Sequence, residues 1–507
     1  MNQTAASTTQ QARSAGACPL DGGLTWTTFT PSNSVVDPVS TTGELLDYAT
    51  DNQVAFDRKG NFYVLTNQHN SDNNTGFLFL NQFNLNGGTL TRTLNNKVVY
   101  GWRSDAANPP GVRRAVKPTL AVNSNLATFS DVNSNGQTVT QTDPSAGAVY
   151  VAYATIDDAP SGVSPWNPNT IRMTASFDGG ANFITPVTVG IGGNSDLGQR
   201  LTAPRMTISQ GNASGTVTGG QVTLVYDDFG SGSTASPPVD LLWVARISPN
   251  PVAGSLTVLS NNNVGTTFIR GAVGSTSPTS TPSNPFGIAP APVLASDNTL
   301  GAYSEHQGRL YLAYADRYNV SGNPADNSDI QLLTSDDGGL TWSGPVQVND
   351  DNAGTDGFSA ADLNQTVTGR PQYQPQVAVD QTNGTLVVSY FDTRFDAAKA
   401  RVATMIQASI DGGASFSKST FTNAPLRVTD VASNSTKILG PIPDNESGGN
   451  NQTNKATTFA FGDYQGLAVY GGKVYPAWAS NSNGGAVGNQ LLQITVGRRR
   501  RSRRSRA

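Results

Sequence analysis

The chain has 507 residues, room for two or three ordinary domains, and only 13% of them are charged against about 25% in a typical soluble domain. No apolar run approaches the roughly 20 residues of a helical membrane span, and the single cysteine, Cys18, excludes an intramolecular disulfide. The formal net charge of −4 is unevenly placed: seven of the 32 basic residues stand in 498–506, which leaves an acidic body.

Residues 1–17 are polar and hold no secretory leader, so a disordered segment is expected there. At 19–26 stands Pro-Leu-Asp-Gly-Gly-Leu-Thr-Trp. Near-copies follow at 176–183, 335–342 and 409–416, with the pattern Ser, any, Asp, Gly, Gly, any, polar, aromatic. The chemistry is that of a tight turn: Asp accepts from backbone amides just downstream, and Gly-Gly tolerates positive φ. The closing Trp or Phe then pins the turn to an apolar layer. Repetition at long intervals indicates a repeat architecture.

A second repeat runs between these turns: an apolar strand, a turn, then a second apolar strand. In chain order the pairs are 53–57 with 62–66, 119–123 with 149–153, 205–209 with 222–226, 293–297 with 310–314, 376–380 with 386–390, and 466–470 with 474–478. The segments alternate and are rich in Val, Tyr, Phe and Thr, which reads as strand, and no stretch shows a capped helical period. Six units with room for four strands each predict an all-β fold, a six-bladed β-propeller of four-stranded antiparallel blades.

The turns keep phase with the blades. Asp178, Asp337 and Asp411 lie 25, 23 and 21 residues beyond the aromatic ends of their units. The first unit has a decayed copy at 84–90 and the third has none. In the sixth unit the turn is due near residue 500, and the copy at Asp21 supplies it. The strand after Trp26 is therefore expected to complete the last blade beside 491–496, joining the N- and C-terminal strands and removing an open edge. The expected organisation is a disordered segment 1–17, a single propeller 18–497, and a disordered arginine-rich tail 498–507.

These repeats resemble the Asp-box, or bacterial neuraminidase repeat, of the sialidase-like six-bladed propellers, and the resemblance covers essentially the whole chain. Two strings, Tyr390-Phe-Asp-Thr-Arg394 and Phe461-Gly-Asp-Tyr-Gln-Gly-Leu467, are similar to strings of exported bacterial Asp-box proteins. The resemblance implies that Asp21, Asp178, Asp337 and Asp411 are structural, on the outer rim between third and fourth strands. It implies a sialidase kit at one mouth of the channel: three arginines for the sugar carboxylate, a tyrosine nucleophile activated by a glutamate, and an aspartate acid/base. Guanidinium suits the first task because it pairs bidentately and keeps its charge.

Residues at or just before the inner strands are the candidates for that mouth. Tyr464 matches the nucleophile's blade, Asp51 is the candidate acid/base, and Glu305 the candidate partner of the tyrosine. Arg114, Arg205 and Arg370 are candidates for the carboxylate, with Tyr373 and Asp463 as further substrate-binding residues. Asp47, Arg113, Lys117 and Arg200 occupy similar positions. The chain departs from the family in lacking an Arg-Ile-Pro-like string on the first unit, and it has only three glutamates. The alternative is a non-catalytic glycan- or protein-binding (adhesion) propeller, in which Tyr373, Tyr464 and Trp166 stack on sugars while Trp243 and Trp478 pack between blades.

No cofactor is required by this reading. Residues 131–136 resemble the opening of an EF-hand Ca²⁺ loop, but Thr142 stands where a bidentate Glu is needed, so a hairpin is expected. The 350–356 loop is read as a solvated turn. Two histidines and no cysteine cluster build no zinc site. The expected partner is a glycan or glycoprotein, met by a monomer outside the cell or at its surface. Nucleic acid is not expected, apart from a role for the arginine tail.

Overall fold

A computed structural model describes residues 2–3, 13–14, 16–19, 26–30, 35–40, 43–70, 75–86, 89–103, 113–133, 135–157, 169–192, 201–229, 240–267, 289–301, 303–316, 328–350, 371–392, 403–418, 420–421, 426–430, 435–439, 465–480, 491–494 and 497–498. The chain divides into two compact units, one of residues 1–231, 240–266 and 337–339, the other of residues 232–239, 267–336 and 340–507. The described regular structure is all β.

The first unit holds three antiparallel four-stranded sheets, each pairing its strands in chain order, with a separate two-stranded hairpin between the first and second strands of sheet two. Sheet one is Tyr48–Phe56, Asn61–His69, Thr75–Asn86 and Thr89–Arg103. Sheet two is Arg113–Val122, Val149–Asp157, Thr170–Ser176 and Val187–Ile191. Sheet three is Leu201–Ile208, Val222–Phe229, Asp240–Asn250 and Ser255–Thr267. The second unit repeats the plan. Sheet four is Val293–Ser296, Leu310–Asp316, Asp329–Ser335 and Ser343–Gln347, and sheet five is Gln372–Asp380, Thr385–Asp392, Ala403–Ser409 and Thr420–Phe421. In sheet six Gly466–Tyr470 pairs with Lys473–Ser480, which in turn pairs with both Leu491–Ile494 and Gly497–Arg498.

Strand periodicity explains how these sheets stack. Along Val149–Asp157, Val149, Val151 and Tyr153 join an apolar cluster with Tyr63, Leu65 and Leu80 of sheet one. The intervening Tyr150, Ala152 and Ala154 join Leu224, Tyr226 and Ile247 of sheet three. Successive side chains point to opposite faces, so a strand apolar at every position is one covered on both. In the second unit Tyr311, Ala313 and Leu332 of sheet four pack with Leu386, Tyr390 and Met405 of sheet five and with Trp478 of sheet six.

Three Asp-Gly-Gly turns lie between the third and fourth strands of their sheets. Asp411 Oδ1 accepts from Ser409 Oγ at 2.7 Å and from the Ser415 amide at 3.0 Å, and Ser409 Oγ accepts from the Gly413 amide at 2.8 Å. Asp178 makes the same bonds with Ser176 and Asn182. The second glycine also meets the preceding sheet. A Cβ on Gly413 (φ +89°) would sit 2.6 Å from Leu332, and one on Gly180 (φ +95°) would sit 2.8 Å from Leu80. The turns at Asp178 and Asp411 are thus clasps between neighbouring sheets, and Gly-Gly supplies both the conformation and the close approach.

Among the described residues the expected pairing of the chain ends is not found. Trp26–Phe29 pairs with Gly16–Pro19 instead. Phe29 packs on Phe62 and Phe83 of sheet one, with ring centroids 5.5 and 5.1 Å away. Aromatic burial against the neighbouring sheet of its own unit decides where this strand goes. The hairpin expected around 131–136 is present, with 128–132 pairing with 138–142.

Candidate functional site

The first strand of four sheets carries a β-bulge at the same place. Register shifts fall between Thr50 and Gln53, Val116 and Thr119, Thr202 and Arg205, and Tyr373 and Gln376. Within each shift one residue other than glycine has positive φ: Asp51 (52°), Lys117 (46°), Ala203 (49°) and Gln374 (51°). Ala291 (46°) stands just ahead of the first strand of sheet four. Each such residue costs roughly 1 kcal/mol, and recurrent strain of this kind gathers where a backbone re-aims side chains for function. In four of the five the next residue is proline: Pro118, Pro204, Pro292 and Pro375.

In the first unit the bulges of sheets one and two gather charge. Asp51 is half-buried in its bulge, with Thr50 Oγ1 3.5 Å from Oδ2. His69 lies opposite Tyr48 on the paired strand, its ring stacked on the tyrosine at 5.6 Å. The contact of 2.8 Å between His69 Nδ1 and the Asn70 carbonyl makes Nδ1 the protonated nitrogen, which leaves Nε2 as acceptor in the neutral ring. Burial lowers the imidazole pKa from its ordinary 6.5, and the charge of Arg114 lowers it further. The Asn70 carbonyl and Asp51 pull the other way. Asp51 and Arg114 therefore act on one imidazole. Sheets one and two are tied at this end by Asn67, whose Nδ2 donates to the Ala115 carbonyl at 3.1 Å. Arg205 follows the bulge of sheet three and donates from Nη1 to the Pro204 carbonyl at 3.0 Å.

The second unit fills the corresponding end differently. Tyr373, expected to bind substrate, is 1% exposed and packs in the core, its ring 5.6 Å from Phe391. Burial, with the charge of Asp392, pushes its hydroxyl pKa well above 10, so this group neither ionises nor offers a stacking face. Beside it runs a buried chain of amides and carboxylates. Asn349 Nδ2 donates to Asp329 Oδ1 at 2.7 Å and to Gln372 Oε1 at 3.2 Å, and Gln372 Nε2 donates to Asp392 Oδ1 at 3.3 Å.

Glu305 is also misplaced for its expected role. It stands exposed in the turn after Val293–Ser296, at the opposite end of that strand from Ala291. The four residues of the strand separate those ends by on the order of 13 Å, so Glu305 does not join Tyr373 or any bulge of its unit. Tyr464, Asp463, Arg370, Asp21, Arg200 and Trp166 lie outside the described residues. Trp243 is stacked on Tyr226, and Trp478 is fully buried, as packing residues. Asp178, Asp337 and Asp411 are in the turns between third and fourth strands, and Ser415 and then Ser409 hold the Asp411 pKa down at about 2.

His69 is the site residue that sequence reading missed, because a lone histidine three residues past a strand's expected end carries no motif. The recurrent proline of the bulges was a usable signal. Among the described residues no group of three or more His, Cys, Asp or Glu is placed to hold a metal, and no helix is long and apolar enough to cross a membrane.

No protein-family model and no curated protein matches the sequence. Solved structures that resemble the fold include an α-L-arabinofuranosidase of Fusarium graminearum, with a TM-score of 0.41 and 13% identity over 92% of this chain and 97% of that one. The leech intramolecular trans-sialidase gives 0.36 and 11%, over 96% and 64%. The intramolecular trans-sialidase of Ruminococcus gnavus gives 0.35 and 10%, over 97% and 88%.

Proposed function

We propose that the six sheets are blades of an exported, sialidase-like Asp-box propeller, and that its bulged ends act on a glycan bearing a carboxylate. The observation that carries this reading is the placing of Asp51 and Arg114 at the strained bulges of two sheets that Asn67 ties together, where both charges bear on the His69 pKa. Arg114 receives the sugar carboxylate, a pairing that guanidinium geometry favours. Asp51 passes a proton to the leaving glycosidic oxygen as general acid. From the family resemblance, Tyr464 is the proposed nucleophile, and Arg370, Arg205 and Asp463 are proposed as further substrate-binding residues. Since Glu305 stands at the turn end of its strand, the group that activates the tyrosine comes from another residue. The Asp-Gly-Gly turns support the family reading by their place between third and fourth strands. Low charge and one cysteine support export.

A second reading, a propeller that binds the glycan without cleaving it, is favoured by Glu305, which stands exposed at the turn end of its strand and leaves the tyrosine without its expected base. Release of fluorophore from a fluorogenic sialoside separates the two. Turnover that Tyr464→Phe abolishes while sialoside binding persists supports hydrolysis. Binding without turnover in the unaltered protein supports the second reading, and neither binding nor turnover overturns both.

A further inference from the structure

At the other end of the strands, in the second unit, the first hairpin turns of sheets four, five and six are bonded side by side. The Asn298 amide donates to Gln381 Oε1 at 2.7 Å, and Gln381 Nε2 donates to the Ser296 carbonyl at 2.8 Å. On the other flank the Gly471 and Gly472 amides reach the Asp380 carboxylate at 3.1 and 2.6 Å, where Thr382 Oγ1 also donates at 2.6 Å. These bonds make one ridge of three turns. Tyr303 and Tyr470 stand on its two flanks, 75% and 70% exposed, whereas Tyr311, Tyr314, Tyr373, Tyr390 and Trp478 of the same unit are buried. The exposed Gln381, Thr382 and Asn383 lie between them.

The turn that carries Tyr303 is braced by its own contacts. The Tyr303 ring lies over Gly301, where an added Cβ would be 3.6 Å from it. The His306 amide donates to Ser304 Oγ at 3.1 Å, and Gln307 Nε2 donates to the Thr299 carbonyl at 2.9 Å. A rigid exposed ring loses little entropy when it is covered, which is the condition under which tyrosine serves recognition.

We propose that this ridge is a docking site for a neutral polysaccharide, separate from the bulged ends. A pyranose has C–H faces that lie on an aromatic ring and a rim of hydroxyls that need partners. Two tyrosines separated by an amide, a hydroxyl and a second amide match that alternation. The charges nearby do not favour a charged polymer: Glu305 and Lys473 are of opposite sign, and Arg309 is paired with Asp336 at 2.6 Å. A protein partner would want an apolar centre between the rings, and the centre here is polar.

Native affinity electrophoresis of the full chain through gels containing soluble xylan, galactomannan or hydroxyethylcellulose tests the proposal. Retardation by at least one of them is expected. Tyr303→Ala and Tyr470→Ala should each weaken it about tenfold, and the double variant should abolish it. The melting temperature of each variant should match that of the unaltered chain. No retardation by any of the three polymers, or retardation that survives in the folded double variant, overturns the site. So does retardation by heparin alone.

Discussion

The two units use one backbone device for different ends. In each, the first strand of a sheet is broken by a left-handed residue that is not glycine. In the first unit two of the three bulges carry Asp51, Arg114 and Lys117, half-buried and charged, and the third carries Ala203 ahead of Arg205. In the second the corresponding residues are Ala291, Gln374 and Tyr373, beside a closed chain of hydrogen bonds through Asn349 and Gln372. Equal geometry with unequal chemistry separates architecture from function. The bulge recurs with the fold, whereas the charged side chains gather at the bulges of sheets one and two. A half-buried carboxylate and guanidinium keep access to a ligand, whereas buried, mutually bonded amides and carboxylates mainly hold strands together.

The sharpest way to break this comparison is to change each end and ask whether activity or stability responds. Asp51→Asn should lower kcat for a sialoside by about 10²–10⁴-fold, the range of a lost general acid, with little change in melting temperature. Arg114→Lys keeps the charge but loses the fork, and should raise KM about tenfold. Gln372→Ala should do the reverse. It strips partners from Asn349 and Asp392, costs about 2 kcal/mol in a denaturant titration, and leaves KM nearly unchanged. An Asp51→Asn variant that unfolds, or a Gln372→Ala variant that is stable but inactive, would erase the distinction.

What could be read from the residues follows from the same division. Strand pairs were legible because Val, Tyr and Phe alternate or run continuously, and the clasps were legible because Gly-Gly after Asp has few other uses. The strand at Trp26–Phe29 was misjudged: its turn phase pointed to the last sheet, while Phe29 found an aromatic surface on Phe62 and Phe83. Tyr373 was misjudged because a tyrosine beside an inner strand reads equally as a stacking platform or as core, and only the direction of the side chain separates the two. Asp51 and Arg114 were legible as candidates by position. That they share His69 was not, since the strands bearing Asp51 and Arg114 meet only in the folded sheets.

Tyr373→Phe probes the second unit more gently. The hydroxyl is buried, and among the described residues its oxygen has no hydrogen-bond partner. Removing it should leave stability unchanged or raise it by up to about 1 kcal/mol, with turnover intact. A loss of activity without loss of stability would make this hydroxyl part of the site and return the second unit to the chemistry.

The smallest effect tests the first unit's electrostatics directly. The His69 pKa is depressed in the folded chain, so the unfolded chain binds the proton more readily. The stability this contributes is complete above the unfolded value near 6.5 and is lost as pH falls through the folded value. Arg114→Gln removes a charge that lowers the pKa and should move the imidazole titration, followed by NMR, to higher pH. Asp51→Asn removes one that raises it and should move the titration to lower pH. Opposite shifts from two residues on different sheets require both charges to reach the same ring. Shifts of the same sign, or none, would mean that His69 is governed by burial alone and that the convergence of Asp51 and Arg114 has no electrostatic consequence.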